Sequence, residues 1–205
     1  MRGPPVRAHC VTVRRMPDPL SRAIALAVFP WTAGLPSPAQ ILISVVAQAG
    51  IAIPVALVIA AAWVEADPGS VVQRGWDAGW RLAPGFVAVV LALLLAKLLG
   101  HVLPEVRPFV ALDQAPLFAH APDASFPSDH VSGGMALLAT RVRSGTVRAL
   151  VVAITLIVGL ARILSGVHWL DDIVGAAILG LLVARVVTSV WRRVMAESPG
   201  LPALR

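Results

Sequence analysis

The sequence predicts an all-α membrane protein, a polytopic bundle of about six transmembrane helices, and three observations carry that expectation. Of its 205 residues, 58% are hydrophobic and only 14% are charged, against roughly 45–50% and about 25% in an average soluble domain. Mean hydropathy is +0.81, too apolar for a disordered chain and more apolar than a soluble core of this size can enclose. The apolar residues also come in nearly uncharged runs, with the basic residues gathered near their ends, the pattern of membrane spans.

The elements follow in order. Residues 1–18 are polar, broken by Pro4, Pro5 and Pro17, and hold Arg2, Arg7, Arg14 and Arg15 with no apolar core of a signal peptide. They are expected to form a cytoplasmic tail. Residues 20–31 form a short apolar segment before the turn Leu35-Pro36-Ser37-Pro38. Residues 41–64 run 24 positions without a charge, enough at about 1.5 Å per residue to cross a hydrocarbon core of about 30 Å. Pro54 is expected to kink that helix.

A polar connection over 65–81 leads to a second clear span, 82–103, whose one charge is Lys97. Residues 104–128 make the only long polar loop, rich in Pro, Asp and His. Residues 129–140 are apolar but short for a crossing, and 149–164 and 172–191 complete the set with Arg162 and Arg185 as interior charges. The expected organisation is one membrane domain over 19–193, with tails at 1–18 and 194–205. Gly133-Gly134 and the glycines between 175 and 180 are expected to allow close helix packing.

Orientation follows from the basic residues. With the N-terminus inside, the cytoplasmic side receives the tail arginines, Arg74, Arg81, Arg141, Arg143, Arg148, Arg192, Arg193 and Arg205, whereas the outer connections hold Arg107 with Arg162 close by. The expected topology is N-in and C-in in a cell membrane. Trp31, Trp63, Trp80, Trp169 and Trp191 fall near helix ends, as an aromatic belt requires.

The net charge of +6 comes from sixteen Arg and one Lys set against eleven acids, spread over helix ends rather than in one patch with interleaved aromatics. That distribution argues against a nucleic-acid partner. The single cysteine, Cys10, excludes an intramolecular disulfide and a cysteine-based metal cluster.

Charge beside membrane helices is costly and marks function, and here it concentrates on the outer side. Lys97 and His101 close the third helix, Arg107 follows in Glu105-Val106-Arg107-Pro108, and His130 opens the fourth in Phe126-Pro127-Ser128-Asp129-His130. Arg162, His168 and Asp172 bracket the last outer turn. Several cations at a helix N-terminus form a receptor for phosphate. A histidine there can attack phosphorus while a carboxylate four residues on holds its other ring nitrogen, and a second histidine protonates the departing oxygen.

These residues resemble the type 2 phosphatidic acid phosphatase superfamily, whose motifs read Lys-x6-Arg-Pro, Pro-Ser-Gly-His and Ser-Arg-x5-His-x3-Asp. The third is matched at Arg162, His168 and Asp172, with Ala161 for the leading Ser. The second is matched at Pro127, Ser128 and His130, with Asp129 for Gly, and the first at Arg107 and Pro108 alone. The position seven before Arg107 is Gly100, so Lys97 one turn earlier, or His101, is expected to take the lysine's role. The resemblance implies His168 as nucleophile, Asp172 as its orienting carboxylate and His130 as acid and later base. It assigns phosphate binding to Arg107, Arg162, Ser128, Asp129 and Lys97; the Asp129 side chain, standing where the family has Gly, repels phosphate unless it points away and offers only its backbone N–H, and its place in the first helical turn suits the helix dipole. No metal or other cofactor is implied.

The stretch from His120 to His130, with Arg107-Pro108-Phe109-Val110 upstream, is most similar to the bacterial undecaprenyl-diphosphatase branch. That branch implies hydrolysis of a polyprenyl diphosphate to the monophosphate outside the cytoplasm, recycling a cell-wall lipid carrier. A phosphatidate or phosphatidylglycerophosphate phosphatase is the alternative within the same chemistry, and a non-catalytic protein that binds or transports lipid head groups is the alternative of another class. The partners expected are thus a lipid phosphate or diphosphate and the bilayer. Among the remaining polar residues, Arg185 reads as a snorkelling or packing residue, His101 and His120 as loop histidines, and Glu105 and Asp123 as residues that fix loops or orient the arginines. The spacing of the histidines fits no His-x3-His metal set.

Overall fold

A computed structural model describes residues 17–197, and they form an all-α fold. Most of the two expected tails lies outside the described residues, except that residues 194–197 prolong the last helix instead of starting a tail.

Helix α1 (Pro19–Ala33) begins where the Asp18 carboxylate accepts from the N–H groups of Leu20 and Ser21, with Pro19 at the first helical position. Such a cap stabilises a helix by about 1 kcal/mol. The span expected over 41–64 is two helices, α2 (Ser37–Ala49) and α3 (Ala52–Val64), bent by 51°. The break falls at Gly50, not Pro54. Pro54 is the third residue of α3, where the helix leaves backbone N–H groups unpaired in any case. A Cβ at Gly50 would lie 2.8 Å from Val158, so the glycine lets a later helix approach the bend.

Helix α4 (Val71–Val102) is 32 residues long and absorbs most of the expected polar connection. It starts from a capping box in which Ser70 and Gln73 exchange side-chain and backbone hydrogen bonds. Its polar first turns stay helical because Asp77 and Arg81, four apart on one face, pair at 3.2 Å as buried side chains. The loop that follows carries one short turn, α5 (Pro108–Ala111), and a single bridge between Val106 and Ala124.

Helix α6 (Asp129–Ala136) ends in the 3-10 turn Leu137–Ala139, short of any crossing. Helices α7 (Gly145–Leu164) and α8 (Leu170–Glu197) complete the fold. Among the described residues, α4, α7 and α8 are long and apolar enough to cross a membrane, and the α2–α3 pair adds a fourth if its two halves form one span.

The short α6 is the hub, packed against α4, α7 and α8. Gly134 makes its approach to α7 possible, since a Cβ there would lie 2.6 Å from Thr155, and a Cβ at Gly180 of α8 would meet Ser132 and Met135. Gly133, expected to do the same, has only ordinary contacts. The core joins Val131, Met135, Ile163, Ile173 and Ala176 at one end of α6 to Ala88, Ala136 and Val183 further along. Trp31 and Trp63 are exposed, but Trp169 is buried, its indole N–H donating to the Val106 carbonyl at 2.7 Å. It pins the long loop to the α7–α8 turn rather than facing lipid.

Candidate active site

The α7–α8 turn, the N-terminus of α6, the end of α4 and the long loop enclose a cavity of about 370 Å³. Its lining includes Lys97, His101, Arg107, His120, Asp123, Asp129, His130, Arg162 and His168. Six of the eight residues singled out from sequence thus share one wall. Asp172 and Ser128 lie behind it, both fully buried.

His168 is buried, its Nδ1 3.1 Å from Asp172 Oδ2 and its Nε2 3.5 Å from the Arg107 Nη1. A guanidinium only donates, so Nε2 carries a lone pair and Nδ1 carries the proton, directed at the carboxylate. That is the tautomer a nucleophile on the Nε2 side requires. Burial, reinforced by the positive charges of Arg162 and Arg107, lowers the His168 pKa well below the ordinary histidine value and keeps the ring neutral. Asp172 is fixed by more than the imidazole, since it accepts from the Trp169 N–H at 2.8 Å and from the Ser125 hydroxyl at 3.3 Å. Its place in the first turn of α8 favours a negative charge.

Arg107 is held by the long loop and the α7–α8 turn. Its Nε pairs with Asp123 at 2.8 Å, while Nη1 and Nη2 donate to the carbonyls of Val167 and Ala124 at 2.8 and 3.1 Å. Arg162, in the last turn of α7, donates to the Ala47 carbonyl at 3.0 Å and meets His120 Nε2 at 3.3 Å. Its buried Nε has no partner among the described residues. His130 Nε2 donates to the Gln48 carbonyl at 3.3 Å, which leaves Nδ1 as the atom able to exchange a proton. The bend between α2 and α3 therefore serves the site, because the backbone just before it supplies both of these carbonyls.

Ser128 caps α6 from beneath the wall and does not line the cavity; its hydroxyl has no partner among the described residues. Asp129 is exposed and belongs to the lining of the cavity. Lys97 lines the cavity and so does His101, so the choice between them for the missing lysine stays open on placement.

His120, read from sequence as a loop histidine, is the residue that sequence reasoning missed. Its Nδ1 donates to the Ala121 carbonyl at 3.0 Å, which turns Nε2 toward Arg162 as an acceptor. Burial, then the positive charges of Arg107 and Arg162, hold its pKa below the ordinary value and maintain that tautomer. No local motif could have found it, because the contact spans 42 positions of sequence. Asp123, by contrast, orients Arg107 as expected. Behind His168, carboxylate oxygens of Glu105, Asp171 and Asp172 lie within 4.8 Å of one another, a clustering of acids that sequence spacing did not suggest.

A groove of about 330 Å³ opens beside the cavity and shares Asp129 and His130 with it. The rest of its wall is apolar: Ile51, Val55, Val89, Leu93, Gly133 and Leu137. A polar cavity and an apolar groove thus meet at the histidine of α6.

The chain is similar to undecaprenyl-diphosphatase BcrC of Bacillus subtilis (strain 168), 38% identical over 80 residues that make up 38% of this chain and 42% of that protein. It is also similar to putative undecaprenyl-diphosphatase YbjG of Escherichia coli (strain K12), 30% identical over 111 residues, 52% of this chain and 54% of the relative. The matches span about half the length of these curated relatives. A solved structure, the first transmembrane PAP2 type phosphatidylglycerolphosphate phosphatase from Bacillus subtilis, has the same fold with a TM-score of 0.64 and 20% identity, covering 91% of this chain and 88% of that one. The family model of the PAP2 superfamily matches residues 81–196. That match takes in more than half of the sequence and all eight residues of the expected site, and the chain belongs to the PAP2 superfamily.

Proposed function

We propose that this protein is an integral membrane lipid phosphatase that removes the terminal phosphoryl group of a phosphorylated lipid through a phosphohistidine. The observation that carries the reading is the His168 ring, with Asp172 on Nδ1 and its Nε2 lone pair toward the cavity that Arg107 and Arg162 line. The two guanidiniums neutralise the phosphoryl oxygens while Nε2 attacks phosphorus, a P–N bond forming as the bond from phosphorus to the lipid oxygen breaks. His130, entering the step as the imidazolium, gives that oxygen its Nδ1 proton and is left neutral. Water then attacks the phosphohistidine, His130 takes the water's proton, and the broken P–N bond returns to His168 as its lone pair.

The apolar groove supports a lipid substrate, since it places a hydrocarbon chain next to His130, on the leaving-group side. In this reading six helical segments make up the membrane domain, both tails are cytoplasmic, and the cavity faces away from the cytoplasm. Two lipid classes share the terminal phosphoryl group that the site handles. A glycerolipid phosphate such as phosphatidate or phosphatidylglycerophosphate presents it as a monoester, and a polyprenyl diphosphate presents it as an anhydride. The names of the partial-length relatives support the anhydride; the likeness that covers nearly the whole chain is to a phosphatase of the monoester class, and at 20% identity it speaks for fold. The reading therefore commits to lipid phosphatase chemistry and leaves the head group to measurement.

Phosphate release by the purified full chain from phosphatidate, phosphatidylglycerophosphate and polyprenyl diphosphate tests it. Release from at least one lipid, abolished in H168Q, is the expected result. Undiminished release by H168Q, or none from any lipid phosphate, would replace the enzyme with a head-group binding protein.

A further inference from the structure

A second polar cavity, of about 620 Å³, lies toward the other end of α8 and has no part in the reaction above. Arg185 is 13 positions from Asp172, about 20 Å along the helix. Arg185, Thr188 and Arg192 stand on one stripe of α8 and Arg148 faces them from the first turn of α7. Leu138 and Leu181 make the apolar side of the same cavity.

The lining contains no carboxylate, and among the described residues none of the three arginines has an ion-pair partner. Arg185 is the sharpest case, flanked by Val183, Ala184, Val186 and Val187 in a helix of membrane length. Snorkelling accounts for one arginine reaching toward water. Neither snorkelling nor a cytoplasmic-side bias explains why the exposed Arg185 and Arg192 and the half-buried Arg148, whose Nη1 donates to the Thr140 carbonyl at 3.5 Å, line one cavity without a carboxylate, a grouping whose positive potential attracts an anion. Arg148 adds to the imbalance, because a cation in the first turn of a helix opposes the dipole.

We infer that this cavity holds the head group of one anionic phospholipid of the surrounding bilayer. The phosphodiester lies among the three guanidiniums and the Thr188 hydroxyl, and the acyl chains cover Leu138 and Leu181. The mixed lining selects a lipid over free phosphate, since only an amphipathic ligand satisfies both walls.

The test uses the purified full chain, incubated with mixed vesicles of phosphatidylglycerol and phosphatidylcholine, with retained lipid counted by native mass spectrometry. The wild type is expected to keep phosphatidylglycerol at least about fivefold over phosphatidylcholine, a preference that R148Q/R185Q loses with its melting temperature unchanged. Equal retention of the two lipids by the wild type, or an undiminished preference in the double variant, overturns the proposal. Tighter binding of inorganic phosphate than of phosphatidylglycerol overturns it as well. If the double variant does not fold, salt on the wild type decides: raising KCl from about 0.05 to about 0.5 M shortens the screening length about threefold and has to abolish the preference. A preference that persists in high salt sinks the idea.

Discussion

Both ends of α4 adjoin buried arginines, and the two groups answer the cost of burying a cation in opposite ways. At the start of the helix, Arg81 is 2% exposed and brings its own counter-charges, Asp77 at 3.2 Å and Glu65 at 3.8 Å. The same acids hold neighbouring backbone, Asp77 accepting from the Asp67 N–H and Glu65 from those of Arg143 and Ser144. The outcome is a closed, neutralised knot that ties α4 to the chain entering α7. Beyond the far end, Arg107 and Arg162 are as deeply buried, at 5% and 4%, but face carbonyls and imidazole nitrogens. Among the described residues their one direct ion pair is with Asp123, whose side chain is 64% exposed. A buried arginine whose acids are themselves shielded from water is structural; one held by neutral acceptors, or by an acid that stays in water, keeps charge for an anion that arrives from outside.

The largest expected effect comes from removing the group that such an anion would meet. H168Q is expected to lower phosphate release by about 10⁴-fold or more, as loss of a nucleophile does, and steady-state release assays on purified protein check it. Retained turnover would reduce the cavity to a binding site and break the comparison at its functional end.

Next come the arginines themselves. R162Q is expected to lower kcat/KM by about 10²–10³-fold with little change in melting temperature. R81Q is expected to do the reverse, destabilising the fold by about 3 kcal/mol by stranding its two carboxylates while kcat/KM per folded molecule stays within about twofold. Thermal melts and kinetics on the same two preparations measure both. If the two variants behave alike, the distinction between the ends of α4 is wrong.

A smaller effect is expected at His120. H120A frees Arg162 without removing it, so KM is expected to rise about fivefold with kcat little changed, and H120Q, which keeps an acceptor, to recover most of the loss. A fall in kcat alone would point instead to proton transfer by His120.

The smallest expectation concerns pH. His168 attacks as the neutral ring, and burial among arginines depresses its pKa. The folded protein therefore resists the proton that an ordinary histidine takes up near pH 6.5, and the acid limb of kcat/KM due to this group lies well below that pH. Linkage has the matching sign. The unfolded chain binds a proton below about pH 6.5 that the native ring refuses, so stability declines as pH falls through that range. A kcat/KM profile with its acid midpoint at 6.5 or above in wild type, lost in variants of His168, would contradict the assigned burial.

Parts of the site were legible because they are local. Arg162, His168 and Asp172 lie within one helix end, a short turn and one helix start, so their spacing alone brings them together. Asp123 was legible in part, as an acid near an arginine in one loop. His120 was not, because its meaning comes from Arg162 on another element. The bend at Gly50 was equally hidden. Residues 41–64 carry the hydropathy of one span, and only the approach of Val158 shows why the glycine matters. The start of α4 misled for the converse reason, since Asp77 and Arg81 look like loop residues until their pairing makes them a buried helical face.

The sequence by itself determined that this chain is helical and belongs in lipid, and it located the residues of the third motif, since apolar run length and spacing are properties of the chain alone. The tertiary structure alone decided which arginines are neutralised and which remain open. It also decided that Ser128 sits behind the wall, that Asp129 lines it, and that a histidine from the long loop braces Arg162. The physical reason is that a charge's role depends on its nearest partners in space, and in this fold those partners lie up to 115 positions away in the chain.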